Sequence, residues 1–141
     1  MIVVDVNVLV AAFVRSHPNH SRAARLLATA FEDLSPVVIP DVVWSGFARL
    51  ATGAIHPSIL ATWTDVRQFA HDLQSDPRYA VGVRGLNGGI DTFLGLCDQT
   101  GAMRNLVSDA YIAAIALEND CPVASFDRDF VRFEGLAVVS E

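Results

Sequence analysis

The chain has 141 residues, 52% of them hydrophobic, with a formal net charge of −6 and a mean hydropathy of +0.36. That length fits one domain over residues 1–141 with a full core, and no apolar run approaches the roughly 20 residues a membrane span requires. An acidic chain is excluded as a general coat for nucleic acid, because such binding rests on many cations neutralising phosphates.

The chain opens on Ile2-Val3-Val4, a β-branched run that reads as a buried strand ending at Asp5. A short helix from Asn7 to Val14 follows, then a turn at Ser16-His17-Pro18-Asn19 and a helix from His20 to Asp33 with Ala23, Ala24, Leu26, Leu27, Ala30 and Phe31 on its apolar side. Ser35-Pro36 breaks it. Val37 to Ile39 reads as a second strand, and Pro40-Asp41 starts a helix through Leu50 or Ala51 that Thr52-Gly53 ends. Pro57 and Ser58 open a helix to about Leu73, Tyr79 to Val83 is a weak strand, and Gly85 and Gly88-Gly89 mark loops. Ile90 to Thr100 reads as a helix stopped by Gly101, and Ser108 or Asp109 begins another that runs to Asn119. Val123 to Ser125 is a strand, Phe130 lies in a helical turn, and Ala137 to Val139 is the last strand. Strands alternating with helices imply a three-layer α/β/α fold with a short, mostly parallel central sheet.

Two of these strands end in acids, at Asp5 and at the run Ser125-Phe126-Asp127-Arg128-Asp129, while Asp109 opens an apolar helix. In open α/β sheets ligands bind outside the carboxyl ends of the strands, so carboxylates from these separated segments can converge on one point. Clustered acids raise one another's pKa unless a cation neutralises them, and hard oxygen donors suit Mg²⁺ or Mn²⁺. A metal site is therefore the leading expectation. The four histidines are scattered without ligand spacing. Cys97 and Cys121 also lack metal-ligand spacing and read as buried reduced thiols. With no basic leader before Asp5, the chain reads as cytoplasmic.

The blocks Asp5-Val6-Asn7-Val8-Leu9, Gly46-Phe47-Ala48-Arg49-Leu50, Asn105 to Ala110, and Ser125 to Phe130 stand in an order that resembles the PIN-domain nucleases, and most nearly the VapC toxins of bacterial type II toxin-antitoxin systems. It is the ordered set, spanning nearly the whole chain, that carries the resemblance. It implies an Mg²⁺- or Mn²⁺-dependent endoribonuclease that uses Asp5, Asp109 and Asp127 as catalytic metal ligands and a metal-activated water as nucleophile. Asn7 and Ser125 become orienting polar groups, and the partners implied are a VapB-like antitoxin and an RNA substrate. Arg49 reads either as a phosphate contact or as an exposed helix charge. Arg15, Arg22 and Arg25 join it as candidates for an arginine rim.

The family usually carries a Glu three residues before the arginine of the second block; here that position is Gly46. One ion is then favoured over a symmetric pair, or catalysis is weakened and the domain serves as a binding partner. Asp41, more than one helical turn upstream, reads as a substitute for that Glu or, first of all, as a helix cap or dipole partner, and Asp129 reads as a ligand, an arginine partner or a cap. Haloacid-dehalogenase-type phosphatases and response-regulator receivers also begin with a strand-end Asp. They need a lysine, and all ten basic residues here are arginines. Surplus apolar content predicts a homodimer, and the helices around Trp44, Phe47 and Trp63 are the expected antitoxin groove.

Overall fold

The computed structural model describes residues 1–32, 35–53 and 61–140. Its elements are β1 (Ile2–Val4), α1 (Val6–Phe13), α2 (His20–Glu32), β2 (Val37–Val38), α3 (Asp41–Thr52), α4 (Trp63–Gln74), α5 (Asp91–Thr100), α6 (Asn105–Glu118), β3 (Val123–Ala124), a 3₁₀ turn (Arg128–Arg132) and β4 (Val138–Val139). The strands form one parallel sheet in the order β2-β1-β3-β4, covered by the helices as a three-layer α/β/α fold. Val3 is in register with Val38 of β2 on one side and with Val123 of β3 on the other. Parallel strands covered by helices on both faces have no solvated side, which is why β1 and β3 in the interior and β2 at the edge, all largely buried, read as unbroken apolar runs.

The path through the sheet creates the site. The chain moves from β1 to β2, then returns past β1 to reach β3. Right-handed connections then put α1 and α2 on one face and the stretch ending in α6 on the other. In agreement, α1 packs on α2, while α6 packs on α5, β1 and β3. The carboxyl ends of β1 and β3 thus flank a topological switch point, where a crevice opens because the adjoining connections depart to opposite faces.

An aromatic cluster fixes the helices beside that crevice. Phe47 of α3 meets Phe13 of α1 at 5.4 Å and Phe69 of α4 at 5.2 Å between ring centroids, and Trp44 at 6.0 Å. Phe47 is fully buried, and Trp44 is half-buried, with its indole N–H donating to the Tyr79 hydroxyl at 3.0 Å. The expected partner groove is corrected accordingly: Trp44 and Phe47 belong to internal packing, and of that trio only Trp63 is exposed.

Several boundaries differ from the sequence expectation for physical reasons. The helix expected from Pro57 begins at Trp63, where the Thr62 hydroxyl accepts from the Asp65 N–H and the Asp65 carboxylate accepts from the Thr62 N–H. Residues 57 and 58, like the expected helix end at Asp33, lie outside the described residues. The weak strand at Tyr79 shrinks to one bridge with Val37, because the chain turns at once through a Val83 N–H to Ala80 carbonyl bond. Cys97 and Cys121 are free thiols, half-buried rather than buried. Among the described residues no helix is long and apolar enough to cross a membrane.

Candidate metal centre

Asp5 leaves the end of β1 with its backbone N–H donating to the Ala124 carbonyl at 3.0 Å, so the sheet ladder itself sets its position. It also caps α1: the Val6 N–H donates to Oδ1 at 2.6 Å. The Ser125 hydroxyl donates to Oδ2 at 2.7 Å. Ser125 in turn accepts at Oγ from the Asn7 side-chain amide and from the Asp127 N–H, both at 3.0 Å. One hydroxyl thus spends its donor and both acceptor positions joining β1, α1 and the segment after β3. Asn7 closes the loop by accepting from the Phe126 N–H at 3.2 Å. Behind this segment the Arg22 guanidinium lies over the Phe126 ring, 4.9 Å from its centroid.

Asp109 reaches the same place from α6. The helix starts at Asn105, three residues before Ser108 and four before Asp109, and Asp109 stands in its second turn rather than at its cap. Asn105, Asp109 and Ile112 share one helical face by their spacing, and that face turns to the crevice. Asp127 caps the 3₁₀ turn, accepting the Asp129 N–H at 2.8 Å. A carboxylate oxygen of each of Asp109, Asp127 and Asp129 lies within 4.8 Å of the other two. Asp129 therefore turns toward this cluster, and its nearest cation, Arg132, is at 4.0 Å.

The crevice is a recess of about 270 Å³. Its lining includes Asp5, Asn7, Arg49, Asn105, Ser108, Asp109 and Asp127, with Val42, Leu50 and Ile112 as an apolar wall. Burial pushes the Asp5 carboxyl up to about 6, against the pull of its bonds from Ser125 and Val6, with Asp127 adding to the rise. Asp109 is raised to about 7, by burial first and then by repulsion from Asp5, Asp127 and Asp129. Oxygen-only donors that repel one another, at a partly dry sheet edge, are a donor set that fits a hard divalent cation.

Of the sequence candidates, Asp5, Asp109, Asp127, Asn7 and Arg49 line this recess, and Ser125 is buried beneath it. Arg15 does not: it lines a separate recess of about 760 Å³ with His20, Asp65 and Asp72. The reason is length, since α1 carries the chain about 12 Å from Asp5 before Arg15 is reached. Arg22 is occupied with Phe126, and Arg25 is exposed on α2 without lining the recess. Asp41 stands exposed in the first turn of α3, whose cap position is Pro40, so it faces the helix dipole without capping. Asn105 and Ser108 were not singled out as lining residues; their spacing from Asp109 on one helix is the signal that finds them.

Gly46 also lines the recess. A Cβ built there would lie 2.9 Å from Val6 Cγ2, so α3 approaches α1 more closely than a side chain at that position permits. The position where the resemblance leads one to expect an acid is here closed by Val6.

Comparison with known proteins agrees with this architecture. The family model for the PIN domain matches residues 2–136. Ribonuclease VapC25 of Mycobacterium tuberculosis is 36% identical over 137 residues, covering 94% of this chain and 93% of the relative. Ribonuclease VapC37 of the same species is 33% identical, covering 96% and 94%. The crystal structure of FitAcB from Neisseria gonorrhoeae superposes with a TM-score of 0.60 at 20% identity, covering 98% of this chain and 96% of that one, a likeness of fold. A three-layer fold alone is common to many families, but a sequence match running from residue 2 to residue 136 is not, and the chain belongs to the PIN-domain family, among its VapC-type members.

Proposed function

We propose that this protein is a divalent-metal-dependent endoribonuclease and the toxin of a toxin–antitoxin pair, working in the cytoplasm. The observation that carries the reading is the meeting of Asp5, Asp109 and Asp127 in one recess at the switch point of the sheet, in a chain whose relatives are named ribonucleases over nearly their whole length. Asp5, Asp109 and Asp127, which line one recess, would hold Mg²⁺ or Mn²⁺, and Asp129 stands within 4.8 Å of Asp109 and Asp127, a close set that does not include Asp5. Bound there, the ion supplies a water of lowered pKa and positive charge against the scissile phosphate. Arg49, exposed at the mouth, contacts a phosphate oxygen. Asn7 and Ser125 hold the Asp5 carboxylate and the Asp127 backbone in place, so the anionic donors stay aimed despite their repulsion.

Gly46 supports a single ion, because among the described residues α3 gives the recess no carboxylate. The same glycine favours the second reading, a catalytically weakened domain that binds its partner and regulates. The two separate in one assay. Purified protein cuts folded RNA with Mg²⁺ or Mn²⁺ and stops with chelator or with Asp109→Asn; absence of cleavage with either ion, beside tight antitoxin binding, favours the second. The partners proposed are a VapB-like antitoxin and a second copy of this chain. For the second copy, the exposed Ile90, Leu94 and Val107 on and beside the packed α5–α6 pair offer an apolar face.

A further inference from the structure

A second recess, of about 300 Å³, adjoins the acid cluster on its α6 side and is lined by Met103, Arg104, Asn105, Asp129 and Arg132 among others. Asn105 lines both recesses, and Asp129 belongs at once to this wall and to the carboxylate cluster. A strand whose phosphate sits against the acids therefore has a direct continuation here. We propose that this recess holds the nucleotide next to the scissile phosphate, with Arg104 and Arg132 gripping its phosphate and Met103 packing on its base. The inference rests on the ribonuclease reading and assigns the cations that a chain of net charge −6 needs near its acids.

The two arginines are suited to this in different ways. Arg104 is exposed, and its guanidinium makes no ion pair or hydrogen bond with the described residues. Arg132 is partly anchored: one nitrogen donates to the Thr100 carbonyl at 3.1 Å, another stands 4.0 Å from Asp129, and the side chain is 48% exposed. An anchored guanidinium beside a free one gives a fork that can meet a phosphate from two sides. Met103 is 76% exposed at the rim, where a thioether packs on the face of any base without reading its edge. Arg104 also holds φ at 54°, a backbone state that suits glycine.

The test uses the full chain with a short single-stranded oligoribonucleotide and Mg²⁺ or Mn²⁺. Arg104→Gly keeps the backbone state, so thermal unfolding should be undisturbed, and Arg132→Gln keeps a donor for the Thr100 carbonyl. Each variant should raise KM about tenfold with kcat nearly unchanged, the mark of lost uniform binding. Each should flatten the logarithmic salt dependence of binding by about 0.7, and Arg104→Lys should restore most of that slope. An oligonucleotide lacking the flanking nucleotide should lose more affinity in wild type than either variant does, and should lose less in Arg104→Gly than in wild type. Wild-type KM and salt slope in both variants would overturn the subsite, as would loss of antitoxin affinity with RNA kinetics unchanged. Wild-type protein that cuts no RNA with either ion overturns the underlying ribonuclease reading instead, before any variant is made.

Discussion

Ser125 is the residue on which the candidate site turns. It is 1% exposed and joins Asp5, Asn7 and Asp127 through a single hydroxyl. Ser125→Ala leaves buried donors and an acceptor without partners, and denaturant unfolding should show a loss of about 1–3 kcal/mol. A change within a few tenths would mean that water replaces the hydroxyl. The acids make a second prediction, in pH. Asp5 at about 6 and Asp109 at about 7 are raised from an ordinary value of 3.8, by burial foremost. The folded protein therefore binds more protons than the unfolded chain, so the stability these groups contribute is full below the unfolded value and is lost as pH rises through 6 and 7. Asp65 and Asp76, pulled down by Thr62 and Arg78, titrate below this window. Metal-free protein should thus have a lower Tm at about pH 8 than at about pH 5, with Asp109→Asn reducing the fall and Mg²⁺ reversing it. A metal-free Tm that rises across that range contradicts the assignment of strain to the acid cluster.

Elements were legible in the sequence where one signal dominated. β1 is a β-branched run and β3 a short apolar one, neither with a competing period, α5 stops at Gly101 with φ 61°, and both strand-end acids follow from the same pattern. The start of α6 was obscured because Ser108 and Asp109 are polar within an apolar stretch, which is the signature of a cap. Here they are polar because they line a recess, and the chain enters the helix through Arg104 instead. Arg15 was misplaced because nearness in sequence to Asp5 does not survive one helix of eight residues. The closeness of α3 to α1 at Gly46 was visible only as a missing acid, since the sequence does not tell which neighbour fills the space. That packing is testable. Gly46→Glu gains about 1 kcal/mol of helix propensity, but its Cβ meets the stiff Val6 side chain and the net effect should be a loss of about 1–3 kcal/mol. Combined with Val6→Ala it should recover stability and bind a second Mn²⁺ in titration calorimetry. Full stability of Gly46→Glu alone would show that α3 has room to move and that the single-ion argument is wrong.

At the scale of the whole molecule, charge and apolar surface decide the partners. A net charge of −6 argues against strong binding to duplex DNA, so on the proposed function selectivity would come from local arginines and from the shape of an exposed loop in structured RNA. Equal cleavage of duplex DNA and folded RNA would contradict this. The exposed Leu94, on the α5 face that also shows Ile90, supplies the test of self-association: Leu94→Asp should convert a dimer to a monomer in light scattering while circular dichroism stays unchanged. The central claim is that the carboxylates at the switch point of the sheet hold the ion that hydrolyses RNA. Its most direct measurement is titration of Mn²⁺ into wild-type protein and into Asp109→Asn, followed on the same samples by cleavage of a folded RNA. The account predicts divalent-ion binding and ion-dependent cleavage in the wild type, with both lost in the variant while it unfolds at an equal or higher temperature. Cleavage that persists in Asp109→Asn, or in excess chelator, would contradict it.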